Sequence, residues 1–447
     1  MDEAVSPGGS VASGRPARIA WAIVVAAAVL IPVIGDFRGE DVFRTPKLSL
    51  LRAAGFLLAA LWALWALYAP RTLPRLRWSS PDVFLPAAIC GWTLLTSLTS
   101  TYPVLSVYST ATVIATAVLF LTTRAVGTGR SIVWAYVPLI GGVCNTVFLT
   151  LQVTRTWNPL LPPDADPKSV QAIIASLSAL LGNPNDVGAV MVTLVILGLA
   201  LGMAERNRTR RLIGFGGAVF ALAAVVMSRN ITAVITLTVA ILTLTLLLDR
   251  KKAVAAVTLV AIVAATGYAT YRPLRLRIRS AVVRAQQGRW DNFLSGRLVA
   301  HLSAAAMAKD HPLLGIGPGG FAPNYLPYKI CTEHNHRGLF TRNRSGTPNF
   351  GETHNDHLQT LAETGVPGYL LMLAAIAALA AGSFRRRRAA EADGDPRREL
   401  VRILSLPLAV SLAVLSLAQF PLHLATSLMQ YAYIAGLLCA WRDDARP

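Results

Sequence analysis

Seven histidines occur in this chain, and their placement is the first sign of chemistry. Six of them (His301, His311, His334, His336, His354 and His357) fall in one polar stretch, and the seventh, His423, stands in a short turn near the C-terminus. Imidazole exchanges protons near neutral pH and is a common metal ligand. Three uses fit: a metal site, a general base working beside arginines that neutralise an anionic substrate, or turn and cap formation. For metal, His354 and His357 are i,i+3 on a helical stretch with Asp356 between them, and His334 and His336 form an H-x-H. No cysteine pair and no H-E-x-x-H accompanies them, so the spacing is weak support.

The arginines favour the second use. Arg229, in AVVMSRNITAVITL, lies where two apolar runs meet with almost no loop, and burying a guanidinium there costs ~2–3 kcal/mol unless it is paired or snorkels to water. Arg52, with Arg44 and Lys47, stands at the start of another apolar run on the same side, and Arg297 and the basic stretch 272–289 add to this region. A lipid-borne pyrophosphate would suit such cations, because Arg grips its oxygens bidentately. Asn183 and Asn185 read as backbone caps at the start of a helix, with sugar contact as the alternative. His311, before Pro312 and a glycine turn, reads as structural, and Glu363 as a partner for an arginine.

The elements that must hold these residues are membrane helices. Of 447 residues, 54% are apolar and 15% charged, with a mean hydropathy of +0.50. About a dozen apolar blocks are each long enough to cross a ~30 Å hydrocarbon core at ~1.5 Å per residue. They run near 19–35, 48–69, 82–99, 104–123, 131–153, 186–204, 211–228, 230–248, 252–270, 365–382, 400–419 and 424–441. A soluble enzyme, a disordered chain and a transmembrane β-barrel are excluded by these continuous runs. The expected fold is an all-α polytopic membrane protein of about 12 transmembrane helices, with a large, partly helical outer loop between spans nine and ten.

The net charge of +19 points to topology and not to nucleic acid, because with the N-terminus inside most Lys and Arg outside the spans fall in cytoplasmic segments. Arg206, Arg208, Arg210, Arg211 and the run Arg385–Arg388 then face anionic lipid. The first apolar run reads as an uncleaved helix, and Cys90, Cys144, Cys331 and Cys439 offer no disulfide framework. The expected layout is a cytoplasmic tail at 1–18, spans one to nine at 19–270, the large loop at 271–363, spans ten to twelve at 364–441 and a cytoplasmic tail at 442–447. Within the loop, 272–290 reads as a basic amphipathic stretch and 295–312 as an amphipathic helix ended by Pro312. GIGPGG (315–320) reads as a turn, and 354–365 as a short helix that Gly365 stops.

Several motifs in order resemble the O-antigen ligase/polymerase-related membrane glycosyltransferases. They are DVFRTPKLSLLR (41–52), GNPNDVGAVMV (182–192), SRNITAVITL (228–237), SGR (295–297), HPLLGIGPGGF (311–321) and HNDHLQTLAETGVPG (354–368). The resemblance runs over 41–441 and implies a metal-independent, inverting transfer without a cofactor. A glycan would move from an undecaprenyl-pyrophosphate donor to a lipid or glycan acceptor hydroxyl at the periplasmic face of the bacterial inner membrane. By that resemblance His354 has the base-like role, and Arg229 and Arg297 bind the donor pyrophosphate. His357, Asn183, Asn185 and Arg52 are expected to support the site or contact the acceptor. A ligase-type activity is the first reading, a polymerase of the same family the second. A transporter of lipid-linked oligosaccharide is the rival from another class, against which stand the lack of matching halves and the gathering of polar residues in one loop.

Overall fold

The computed structural model describes residues 14–36, 41–161, 166, 174–248, 250–270, 272–287, 296–336, 349–384 and 394–443. Ser295 of SGR and Arg385–Arg388 lie outside them. Helix makes up 78% of the structure, and no strand occurs among the described residues. The helices are α1 (Arg15–Leu30), α2 (Arg44–Tyr68), α3 (Pro81–Leu98), α4 (Pro103–Gly127), α5 (Val137–Val153), α6 (Pro184–Ala204), α7 (Arg208–Ser228) and α8 (Ile231–Thr245). There follow α9 (Arg250–Thr270), α10 (Arg272–Gln286), α11 (Leu298–Asp310), α12 (Phe321–Asn335), α13 (Asp356–Ala380), α14 (Pro396–Leu415) and α15 (Ala425–Asp443). Each apolar block predicted from sequence overlaps one of them. Among the described residues, 7 helical stretches are long and apolar enough to cross a membrane, and α8 is a shorter apolar helix. The protein is a multi-pass, all-helical membrane protein.

Helix α6 shows how the bundle is organised. It is apolar on every side, and a helix without a polar face has to be enclosed by others. Every residue from Val187 to Gly202 is accordingly buried. It meets α7 at Gly198, Gly202 and Gly214, where an added Cβ at Gly198 would lie 2.7 Å from the Ala218 nitrogen. Small residues at such a crossing let two backbones approach, the usual basis of helix association in lipid. Outward-facing Phe56, Leu57, Leu64 and Leu67 on α2 are exposed, as lipid-facing side chains are. At the opposite end of the bundle from the histidines, Asp82 pairs with both Arg124 and Arg442, tying α3, α4 and α15 together.

The short helix expected at 354–365 starts at Asp356 and is stopped by Gly365, whose φ of 67° and ψ of −175° are non-helical; a second helix continues beyond this kink to Ala380, and α13 comprises both. Glycine is required at this break, since an added Cβ would sit 2.2 Å from the Leu313 carbonyl oxygen.

Candidate active site

The ends of helices distant in sequence converge on one face, and polar caps hold them there. Asp41 caps α2, its carboxylate accepting from the Arg44 and Thr45 amides at 2.9 Å each. Asn183 caps α6 by accepting from the Asn185 amide at 2.9 Å. Asn230 caps α8 through the Ala233 amide at 3.2 Å, and its Nδ2 donates to the Asn185 carbonyl at 3.2 Å. The G-N-x-N and S-R-N motifs therefore lie side by side. Asn183 is a cap, as expected, whereas Asn185 serves through its backbone. Arg44 forms an ion pair with Glu352, and Asp186 lies within electrostatic reach of Arg44, Glu352 and Arg297.

His354 sits beside this cluster in a strained conformation. Its φ is +56°, and that of Arg229, which caps the C-terminus of α7, is +55°. A left-handed backbone at a residue with a Cβ costs of order 1–3 kcal/mol and persists only where the surroundings impose it. Here they do. Asn355 Nδ2 donates to the Leu417 carbonyl at 3.0 Å, the Asp356 amide to the Ser416 carbonyl at 2.8 Å, and Arg297 Nη1 to the Ala418 carbonyl at 3.0 Å. The turn after α14 thus carries both flanks of the site.

The His354 ring stands edge-on between Phe350 and Phe420, with centroids 5.5 and 4.7 Å away. Its Nδ1 is buried with no hydrogen-bond partner among the described residues. Burial first, then the charges of Arg297, His301 and Arg44, pushes its pKa down to about 3. Burial and Arg297 likewise hold His301, which lies against the Thr353 and His354 backbone, at about 4. Both rings are neutral at physiological pH, with a lone pair available.

A second histidine has the opposite setting. Asp356 is fully buried, and its carboxylate accepts from the Leu422 amide at 2.8 Å, Ser416 Oγ at 3.3 Å and His423 Nδ1 at 2.7 Å. Burial alone would lower the His423 pKa, but the hydrogen bond and charge of Asp356, with Glu363 and Glu352 behind, raise it to about 9. Its Nε2 lies 3.2 Å from Gln359 Nε2, whose amide oxygen accepts from the Thr353 amide at 3.0 Å. Two donors cannot share that contact, so protonation leaves the ring held by Asp356 alone.

The glycine turn clasps the same helix. The Ile316 and Gly317 amides donate to the Ala362 and Glu363 carbonyls at 2.9 Å each. The Glu363 carboxylate accepts from the Gly319 and Phe321 amides at 2.9 and 3.3 Å and from Gln359 Nε2 at 3.2 Å. Glu363 therefore caps the turn, where the sequence suggested an arginine partner. His357 packs, with Nε2 3.0 Å from the Ala413 carbonyl oxygen and Nδ1 3.4 Å from the Tyr369 hydroxyl. His311 and His336 are exposed and end α11 and α12.

Alongside lies a cavity of about 720 Å³ between α2, α3, α4, α13 and α15. Arg44, Glu352, Gln359 and His423 line its polar end, and Phe120, Ile376 and Leu379 its apolar depth. Arg52 lines it; His354, Arg229 and Arg297 do not. The structure thus brings His354 and Arg297 together with Arg44, sets Arg229 at the end of α7, adjoining the Asn185–Asn230 contact, and places Arg52 in the cavity. Sequence reasoning missed the Asp356–His423 and Arg44–Glu352 pairs. An acidic residue between two histidines in HNDH was the available signal for the first. Among the described residues, no group of three or more His, Cys, Asp or Glu is arranged to hold a metal ion.

These settings carry a pH dependence. Both His354 and His301 take up protons more readily unfolded than folded, so their contribution to stability is complete above pH 6.5 and is lost as pH falls toward 4 and 3. Melting of the detergent-solubilised protein is expected to drop steadily below pH 6.5, with a shallower fall in His301→Gln. An equal slope in that variant would contradict the assignment.

Residues 216–373 match the O-antigen ligase family, Wzy_C. The matched segment runs from within α7 to within α13 and contains Arg229, Arg297, the glycine turn and His354. It agrees with the resemblance carried by the motifs. No curated protein matches the chain as a relative.

Proposed function

We propose that this chain, with its O-antigen ligase segment, is a membrane glycosyltransferase that moves a glycan from an undecaprenyl-pyrophosphate donor to an acceptor hydroxyl at the periplasmic face. The observation that carries the reading is His354: neutral, strained, with a buried Nδ1 lacking a partner among the described residues, beside Arg297. In this reading the acceptor hydroxyl attacks the anomeric carbon as its proton passes to the imidazole. The bond from that carbon to the pyrophosphate oxygen breaks, and its electron pair leaves with the pyrophosphate. A single displacement inverts the anomeric centre, and Arg297 and Arg229 meet the charge that grows on the leaving group.

The low basicity of His354 fits such a site. Burial depresses it first, and Arg297 and Arg44 add to this while no anion is bound; a bound pyrophosphate would offset the arginines' part and raise the basicity where the proton is transferred. The apolar depth of the cavity suits the lipid part of a substrate. Topologically, the reading keeps both termini cytoplasmic, spans at 19–270 and 364–441, and the site-bearing loop 271–363 outside in the inner membrane. No cofactor takes part.

The test uses purified protein in detergent with chelator, a synthetic polyprenyl-pyrophosphate glycan and candidate acceptors, with products sized on a gel. One glycan added to a lipid core means a ligase; a ladder of repeats means a polymerase. Donor left intact with every acceptor, but carried across a liposome bilayer, would replace the enzyme with a transporter.

A further inference from the structure

His354 keeps its left-handed backbone because the residues on either side of it are tied down. Thr353 is fully buried, and its Oγ1 donates to the Asn355 carbonyl at 2.6 Å while accepting from the Asn355 amide at 3.0 Å. The Thr353 amide in turn donates to Gln359 Oε1 at 3.0 Å. The turn that presents His354 is thus closed by Thr353 and anchored to α13 through the buried amide group of Gln359.

Gln359 fits only one way round. Its Nε2 donates to the Glu363 carboxylate at 3.2 Å, and its Oε1 accepts from Thr353. Turning the amide over would set oxygen against carboxylate and NH2 against N–H, two mismatches in a buried place. The Gln359 Nε2 that stands 3.2 Å from His423 Nε2 is therefore a donor, and that ring nitrogen has to accept. The His423 proton then sits on Nδ1, which donates to Asp356 at 2.7 Å. One neutral tautomer satisfies every partner along the line from Asp356 through His423 and Gln359 to Thr353.

A second proton on the ring breaks this line. It sets an N–H at Nε2 against the Gln359 NH2, and the amide can follow only by giving up Thr353 or Glu363. Facing His423 are Asp356 and Glu363 from α13 and Glu352 from the segment before it. Arg44 from α2, paired with Glu352, and Tyr431 from α15 line the same cavity. The carboxylates draw the proton to the ring and Gln359 resists it, so the exchange falls between the ordinary 6.5 and about 9.

We propose that His423 is a positioning residue for His354, holding its turn closed through Gln359 and Thr353 when neutral and releasing it on protonation at Nε2. The effect on rate rests on the proposed transfer; the tie itself can be followed without turnover.

Two measurements on the full chain in detergent test this. The first is kcat and KM for transfer between pH 6.5 and about 9 in wild type, His423→Leu and His423→Gln. Glutamine offers the pattern of the neutral tautomer, a donor for Asp356 and an acceptor for Gln359, but does not titrate. His423→Leu is expected to lose about ten- to a hundredfold in kcat with little change in KM, as misplacement of a reacting group does. His423→Gln should recover most of that loss and stay level with pH, where wild type rises across the window. A rise in His423→Gln as steep as in wild type, or wild-type kcat in His423→Leu, overturns the proposal.

The second is amide hydrogen exchange, at fixed pH, of the peptide carrying Thr353 and Asn355. Exchange should quicken severalfold in His423→Leu and much less in His423→Gln; equal exchange in all three proteins overturns the tie. Should His423→Leu not purify folded, Gln359→Met takes its place with the same outcomes, since it removes the tie and leaves the Asp356–His423 pair. If wild type transfers nothing to any acceptor, the transfer reading fails on its own, and exchange still decides whether His423 holds the turn.

Discussion

His354→Ala is expected to lower the rate of glycan transfer by about 10²- to 10⁴-fold, the usual worth of a positioned acid–base group, while donor binding is largely kept. The expectation rests on the atom removed. Nδ1 is buried and has no protein partner among the described residues, so it contributes little to holding the fold together. What the fold contributes is its placement, through φ of +56° and two flanking rings. A companion variant separates chemistry from architecture. His354→Gly adopts that φ without strain, so it should be equally inactive yet melt no lower than the alanine variant. Steady-state rates with donor and acceptor in excess check the first part, and thermal melting the second. Wild-type turnover in a correctly inserted alanine variant would remove His354 from the base-like role.

Arg297→Ala should act on binding before chemistry. Arg297 is half-buried, and truncating a charged donor that the bound anion encloses typically costs about 2–5 kcal/mol, so donor affinity is expected to fall at least about thirtyfold. Arg297 also donates to the Ala418 carbonyl at 3.0 Å and thereby touches the turn that holds Asn355 and Phe420. Arg297→Lys keeps the charge but not both bonds, and should recover part of the affinity. The same charge depresses the His354 pKa, so in Arg297→Ala the imidazole should titrate closer to its ordinary 6.5. Histidine NMR or the acid limb of kcat/KM would show that move, which a purely structural role for Arg297 would not produce. Donor affinity equal to wild type would exclude Arg297 from the pyrophosphate site.

Much was legible in the residues themselves. Continuous apolar runs specify helices in lipid because a helix satisfies its own backbone polar groups within the segment, and each predicted run overlaps a helix. Local chemistry was equally readable. Asn183 preceding a proline-started helix caps it, and Gly365 breaks α13 where a Cβ would strike the Leu313 carbonyl. The candidate residues were also chosen by type: a histidine for proton transfer, arginines for an anion.

Tertiary structure alone decided which of those residues meet. Asp356 and His423 are 67 positions apart and face each other at 2.7 Å only because α13 and the turn after α14 pack end to end. Nothing in HNDH says that its two histidines part company, yet His354 lies between aromatic rings and His357 turns to the Ala413 carbonyl. Burial lowers the pKa of both His354 and His423, and their opposite settings come from the neighbours each acquires: Arg297, His301 and Arg44 add to the effect of burial at His354, whereas the carboxylates around His423 outweigh it. Periodicity and capping act over a few residues and are written locally in the chain. Charge pairing, desolvation and the cavity around Arg52 are properties of packed helices, and exist only once distant segments have displaced lipid and water from between them.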